Sequence, residues 1–119
     1  MAYIAAMLVT VVEANAFVAR ARSRMSDGER EAAIDMIAAD PLCGDVIASG
    51  GGIRKVRFGI GRRGKSGGVR IIYYYHSENL PVFLLTVFAK NEQANLSPAE
   101  RNALAKAAKQ IARAYGARQ

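Results

Sequence analysis

The sequence predicts a small α+β domain, an antiparallel sheet with an N-terminal helical hairpin and a C-terminal helix in the order β-α-α-β-β-β-α. Three observations predict it. Runs of β-branched and aromatic residues at 53–58, 69–75 and 81–90 follow one another with only loops between them. Two stretches with apolar residues three and four apart precede these runs, and a third follows them. At 119 residues and 51% hydrophobic, the chain supports one core, so a single domain over residues 1–119 is expected.

The first element is the apolar run from Ala2 to Val12. It reads as a strand apolar on both faces, within the sheet or at an interface. Ala14-Asn15-Ala16 resembles a signal-peptidase site, which offers secretion as a rival reading. No Lys or Arg precedes the run, however, and eleven residues are too few to span a bilayer. From Asn15 to Met25, Phe17, Val18, Ala21 and Met25 alternate with Arg20, Arg22 and Arg24, the pattern of a short amphipathic helix.

Ser26-Asp27-Gly28-Glu29 reads as a capping box, in which the Ser26 hydroxyl and the Glu29 carboxylate each accept from the other's amide. The helix it opens carries Ala33, Ile34, Met36 and Ile37 and stops at Asp40-Pro41, because proline cannot continue it. Paired, the two helices are expected to cover one face of the sheet. Leu42 to Gly52 reads as a connecting loop ending in three glycines.

Next comes the most basic part of the chain. Seven basic residues and no acidic one fall between Ile53 and Tyr75. The first arm, Ile53-Arg54-Lys55-Val56-Arg57-Phe58, and the second, Val69-Arg70-Ile71-Ile72-Tyr73-Tyr74-Tyr75, flank a loop with five glycines. On a strand successive side chains alternate sides, so Lys55 and Arg57 share one face while Val56 and Phe58 share the other. Arg70 points away from Val69 and Ile71. A hairpin register that puts Arg70 beside Lys55 and Arg57 would gather three cations on one sheet face, an arrangement suited to a phosphodiester.

A turn at His76-Ser77-Glu78-Asn79 leads to the strand from Pro81 to Lys90. Ser97-Pro98-Ala99-Glu100 then supplies a cap, a proline at the first helical position and a glutamate at the third. That helix carries Leu104, Ala107, Ala108, Ile111 and Tyr115 on one stripe, and Gly116 is its expected end.

Net charge is +7 and the pI is near 10, so an acidic partner is expected: nucleic acid, an anionic membrane or an acidic protein. The absence of Trp and the four Phe argue against an extended stacking platform for single strands. Cys43 is the only cysteine, which rules out an internal disulfide and a thiolate cluster and fits a cytoplasmic protein. It reads as a small packed hydrophobe.

One motif misleads. Gly59 to Ser66 matches G-x-x-x-x-G-K-[ST], the phosphate-cradling loop of nucleotide hydrolases. That loop works by leading straight into a helix whose first amides face the phosphates. Here Gly67-Gly68 and then β-branched and aromatic residues follow, which form a poor helix. A chance match is the better reading.

Four stretches together resemble a known family. They are Pro41-Leu42-Cys43-Gly44-Asp45-Val46-Ile47, Gly50-Gly51-Gly52-Ile53-Arg54-Lys55-Val56-Arg57, Gly68-Val69-Arg70-Ile71-Ile72-Tyr73-Tyr74 and Leu84-Leu85-Thr86-Val87-Phe88-Ala89-Lys90-Asn91-Glu92. Across roughly residues 8 to 113 the chain resembles the RelE/HigB-type toxins of bacterial toxin–antitoxin pairs. The resemblance implies a ribosome-dependent endoribonuclease that cleaves mRNA in the decoding site and is neutralised by a cognate antitoxin. It carries the role of surrounding the scissile phosphate onto Lys55, Arg57 and Arg70. Where RelE itself has an arginine after the last strand's lysine, this chain has Asn91, and no motif equates Tyr115 with that family's C-terminal tyrosine. The resemblance therefore assigns no proton donor or acceptor, and it fits a HigB-like subgroup better than RelE proper.

The chemistry agrees with those residue types. Attack of a 2′-hydroxyl on the adjacent phosphorus needs a proton removed, the pentacoordinate phosphorus stabilised and the leaving 5′-oxygen protonated. Arg57 and Arg70 stay charged and suit bidentate phosphate contact. Lys55, beside arginines, suits either proton-transfer role. Arg62, Arg63 and Lys65 in the loop, with Lys90 and Asn91 at the strand end, are candidates for contact with RNA or ribosome. Tyr74 shares the parity of Arg70 and either stacks on a base or packs in the core. His76 reads as a solvated turn residue. No His, Asp and Glu cluster suggests a metal, and no cofactor or membrane partner is expected. Two other readings compete: a non-catalytic ParE-type inhibitor of DNA gyrase, which lacks the cationic strand set, and a plain nucleic-acid-binding module.

Overall fold

The computed structural model describes residues 9–61 and 67–116. Among them are five strands and three helices. These are β1 (Val11–Glu13), α1 (Asn15–Arg24), α2 (Asp27–Ala39), β2 (Asp45–Val46), β3 (Ile53–Phe58), β4 (Val69–Tyr74), β5 (Val82–Ala89) and α3 (Pro98–Gly116). The strands form one mixed sheet in the order β1-β5-β4-β3-β2. β2 to β5 pair antiparallel, and β1 pairs parallel with β5, Val11 opposite Val82. The α+β class and the antiparallel run β3-β4-β5 are as the sequence predicts.

Two differences stand out: the sheet is mixed rather than antiparallel throughout, because β1 runs parallel to β5, and a further strand lies in a segment read as loop. The segment read as a loop from Leu42 contains β2, a two-residue strand opposite Arg54 and Lys55. It escapes pattern reading because two residues cannot show a period. Of the first apolar run, residues 2–8 lie outside the described residues. Val11 and Val12, which are described, pack into opposite cores, as a strand apolar on both faces must.

α2 and α3 begin at capping boxes, whereas α1 follows Ala14 with no side-chain cap. The Ser26 hydroxyl accepts from the Glu29 amide at 3.1 Å, and the Glu29 carboxylate accepts from the Ser26 amide at 2.8 Å. Ser97 and Glu100 repeat this box at the head of α3, at 3.1 and 2.9 Å. No helix among the described residues is long and apolar enough to cross a membrane.

The sheet has a core on each side. Phe17, Ala21, Ala33 and Ile37 of α1 and α2 pack on Val56, Val69, Ile71, Tyr73 and Leu84. On the other side Leu104, Ala108, Ile111 and Tyr115 of α3 pack on Ile53, Ile72, Tyr74 and Phe83. All six residues of β4 are therefore buried. The α3 residues on this core meet the Ile53, Tyr74 and Phe83 end of the sheet. β4 begins at Val69, so the chain is already a strand three residues after the Gly59–Ser66 match ends. Gly68 is obligatory at the hairpin's neck, where a Cβ would lie 2.1 Å from the Phe58 carbonyl oxygen.

Candidate active site

The β3–β4 ladder fixes the register that the sequence leaves open. Lys55 lies opposite Ile72, Val56 opposite Ile71 and Arg57 opposite Arg70. Directly opposed residues share a face, so Lys55, Arg57 and Arg70 stand together on the α3 side of the sheet. They occupy the end toward the hairpin tip, away from Ile53 and Tyr74.

Their environments differ. Arg57 is exposed and Lys55 half-buried, whereas Arg70 is 5% exposed, the only charged residue among the described ones that is buried. Burial pushes the Arg70 guanidinium below its ordinary value, and the facing charge of Arg57 adds to the push. Its Nη1 donates a long hydrogen bond, 3.4 Å, to the Val69 carbonyl. Two cations opposed across a ladder oppose folding. An anion set between them would be attracted to both.

Lys55 is positioned by a second group. Its Nζ donates to Asn95 Oδ1 at 3.1 Å, from the loop that precedes α3. It forms the wall between two clefts. One, of about 170 Å³, includes Asn95, Leu96 and Arg101. The other, of about 500 Å³, is lined by Cys43, Asp45, Lys55, Val56 and Arg57.

That second cleft contains a residue that sequence reasoning missed. β2 places Asp45 directly opposite Lys55, so a carboxylate belongs to the cation face. Its placement is rigidly built. The residue before it, Gly44, donates its amide to the Tyr73 hydroxyl at 2.8 Å, and its carbonyl accepts from Arg54 Nη1 at 2.8 Å. The Tyr73 hydroxyl in turn donates to the Pro41 carbonyl at 2.7 Å. Burial pushes the Tyr73 phenol well above its ordinary value, so it remains a neutral donor. A Cβ on Gly44 would meet Tyr73 and the Lys55 carbonyl oxygen within 2.9 Å, so no other residue fits there unmoved. The recoverable sequence signal was Gly44-Asp45 just ahead of Val46-Ile47, the start of a β-branched run.

The other sequence-predicted residues are distributed unevenly. Lys90 is exposed just past β5, its amide bonded to the Gly68 carbonyl at 3.1 Å. By alternation from Phe88, which pairs with Arg70, it belongs to the cation face. Asn91 instead lines a cleft of about 490 Å³ on the α1 side, with Ser23, Arg24, Ile60 and Gly68. The two are held in one turn, where Glu92 accepts from the Ala89 amide at 2.6 Å and from Arg24 at 2.6 and 2.8 Å.

Tyr74 is brought to the correct face but not to the site. It is 5% exposed and packs among Ile53, Phe83 and α3, about 13 Å along the strand from Arg70. Of the two roles the sequence offered it, burial fits core packing rather than stacking on a base. His76 is exposed beyond the same end of β4, its ring 6.2 Å from that of Tyr74. Tyr115 stacks edge-on against Phe83 at 5.1 Å, also at the far end. Arg62, Arg63 and Lys65 lie outside the described residues.

Residues 9–118 match a protein-family model described as the RelE toxin of the RelE/RelB toxin–antitoxin system.

Proposed function

The chain belongs to the RelE toxin family and is a toxin of the toxin–antitoxin class, and from that premise we propose that it is a ribosome-dependent mRNA endoribonuclease. The observation that carries the proposal is the pairing of Arg57 with Arg70, which sets Lys55, Arg57 and Arg70 on one sheet face. Arg57 and Arg70 bind the scissile phosphate and stabilise the charge that builds on it as the 2′-oxygen attacks. Lys55 takes part in proton transfer, and Lys90 at the edge of the face contacts the RNA backbone. Arg62, Arg63 and Lys65, from the sequence between β3 and β4, together with Asn91, hold the ribosome or the message.

One small basic face offers little positioning by itself, and the ribosome supplies the rest. The toxin therefore works in the cytoplasm, needs no metal or cofactor, and is held in check by a cognate antitoxin. The test is expression of the chain followed by mapping of mRNA 5′ ends on ribosomes, with Arg70→Met in parallel. Cuts within reading frames that vanish in Arg70→Met support the reading. Rapid cleavage of purified RNA without ribosomes, or no cleavage at all, overturns it.

A further inference from the structure

We propose that Asp45 is the general base of this site, the group that removes the proton from the attacking 2′-hydroxyl. The inference rests on the endoribonuclease reading and adds to it the residue that neither the sequence nor the family match assigns.

Three observations carry it. First, the register puts Asp45 opposite Lys55 on the face that bears Arg57 and Arg70, the one carboxylate that β2 brings to these cations. Second, Asp45 is exposed and lines the cleft of about 500 Å³ with Lys55 and Arg57, a volume that admits a nucleotide. Third, the segment delivering it is fixed at both polar atoms of Gly44 and by the Tyr73 hydroxyl on Pro41. A solvent-facing carboxylate with no task needs no such anchoring. An acidic group beside a phosphate site also weakens phosphate binding by Coulomb repulsion, so its place there calls for a return in chemistry.

The step balances within the site. The Asp45 carboxylate takes the 2′-hydroxyl proton as the 2′-oxygen forms its bond to phosphorus. The bond from phosphorus to the 5′-oxygen breaks, and the Lys55 ammonium gives that oxygen a proton. The products are a 2′,3′-cyclic phosphate and a 5′-hydroxyl end, and solvent returns both side chains to their starting charge. Asn95 holds the Lys55 ammonium at the boundary with the smaller cleft of about 170 Å³. Arg57 and Arg70 lie beyond, on the phosphate oxygens.

The experiment is single-turnover cleavage of ribosome-bound mRNA by the full chain, comparing wild type with Asp45→Asn, Asp45→Ala and Lys55→Met. Asp45→Asn is expected to lose roughly 100- to 10,000-fold in rate, with ribosome binding and melting temperature unchanged. Added formate is expected to restore part of the Asp45→Ala rate, because a free carboxylate can enter the vacated space. A message with sulfur in place of the 5′-bridging oxygen at the cut site needs no acid. It is expected to rescue Lys55→Met and not Asp45→Asn. An Asp45→Asn rate within about threefold of wild type overturns the inference and leaves the endoribonuclease reading standing. Rescue of Asp45→Asn by the sulfur substrate overturns it by reversing the roles. Absence of cleavage by the wild-type chain removes both readings together.

Discussion

Arg57 and Arg70 face each other directly across the β3–β4 ladder, and the second of the pair is buried. Burial of one guanidinium in front of another works against folding, so the site is held by the surrounding sheet at the expense of stability. Each side of β4 is packed by helices, which supplies that support.

Arg70→Met follows from this pairing. The substitution keeps the buried stem and removes the facing charge, so the melting temperature is expected to hold or rise, by up to about 1 kcal/mol in stability. Cleavage is expected to fall at least roughly 100-fold, since charge stabilisation at the phosphate is gone. Thermal unfolding and ribosome-bound cleavage, measured on the same preparation, check the two halves. A variant that is strongly destabilised would show that Arg70 is structural.

Tyr73→Phe tests the anchoring of the β2 segment. It removes the donor to Pro41 and the acceptor for the Gly44 amide in a buried place, a loss of about 1–3 kcal/mol. Cleavage is expected to drop with Lys55, Arg57 and Arg70 all intact, because the turn that carries Asp45 loosens. Urea unfolding reads the first effect and single-turnover kinetics the second.

Acid is expected to loosen the turn after β5. Arg24, through two hydrogen bonds, and the Ala89 amide hold the Glu92 carboxyl at about 2, below its ordinary 4.5. A carboxyl lowered in the folded state contributes stability that is fully present above about 4.5 and is lost as pH falls toward 2. Glu29 and Glu100 are shifted the same way, each by the serine amide it caps. Melting temperature should therefore decline as pH is lowered through that window, and less steeply in Glu92→Gln. At neutral pH that variant should cost only about 0.5–1 kcal/mol, the scale of a partly exposed ion pair.

Neutralising Arg62, Arg63 and Lys65 together is expected to weaken ribosome binding through the RNA backbone alone. The sign of that mechanism is a shallower dependence of affinity on salt, by up to about one log unit for each phosphate no longer neutralised. Cleavage of message already bound should continue at close to the wild-type rate. Binding titrations at several salt concentrations decide it.

Strands β3, β4 and β5 were legible in the sequence, and the arrangement of the site only in part. Ile53–Phe58 is a strand to the residue, because alternation and β-branching agree there. The parity of Arg70 with Lys55 and Arg57 could be written as a condition but not resolved, since a loop of ten residues permits several registers. Tyr74 was placed on the correct face, yet parity carries no information about depth. Only the position of α3 shows that this residue lies beneath a helix and Arg57 does not. Asp45 was invisible for a different reason. Its strand is two residues long and owes its existence to Tyr73 and Arg54, partners distant in sequence that local propensity does not reveal.

The parallel pairing of β1 with β5 joins segments roughly seventy residues apart in sequence. A chain emerging from its N-terminus cannot seat Val11 beside Val82 until most of it has been made. The β3–β4 hairpin, by contrast, pairs neighbours along the chain and needs no distant segment to begin. During synthesis the arginine-bearing hairpin is thus able to form early, while the core around Phe17 and Ile37 stays incomplete until Val82, Leu84 and Val87 of β5 arrive. Shortening the chain before Val82 should leave a collapsed, aggregation-prone species rather than a smaller toxin.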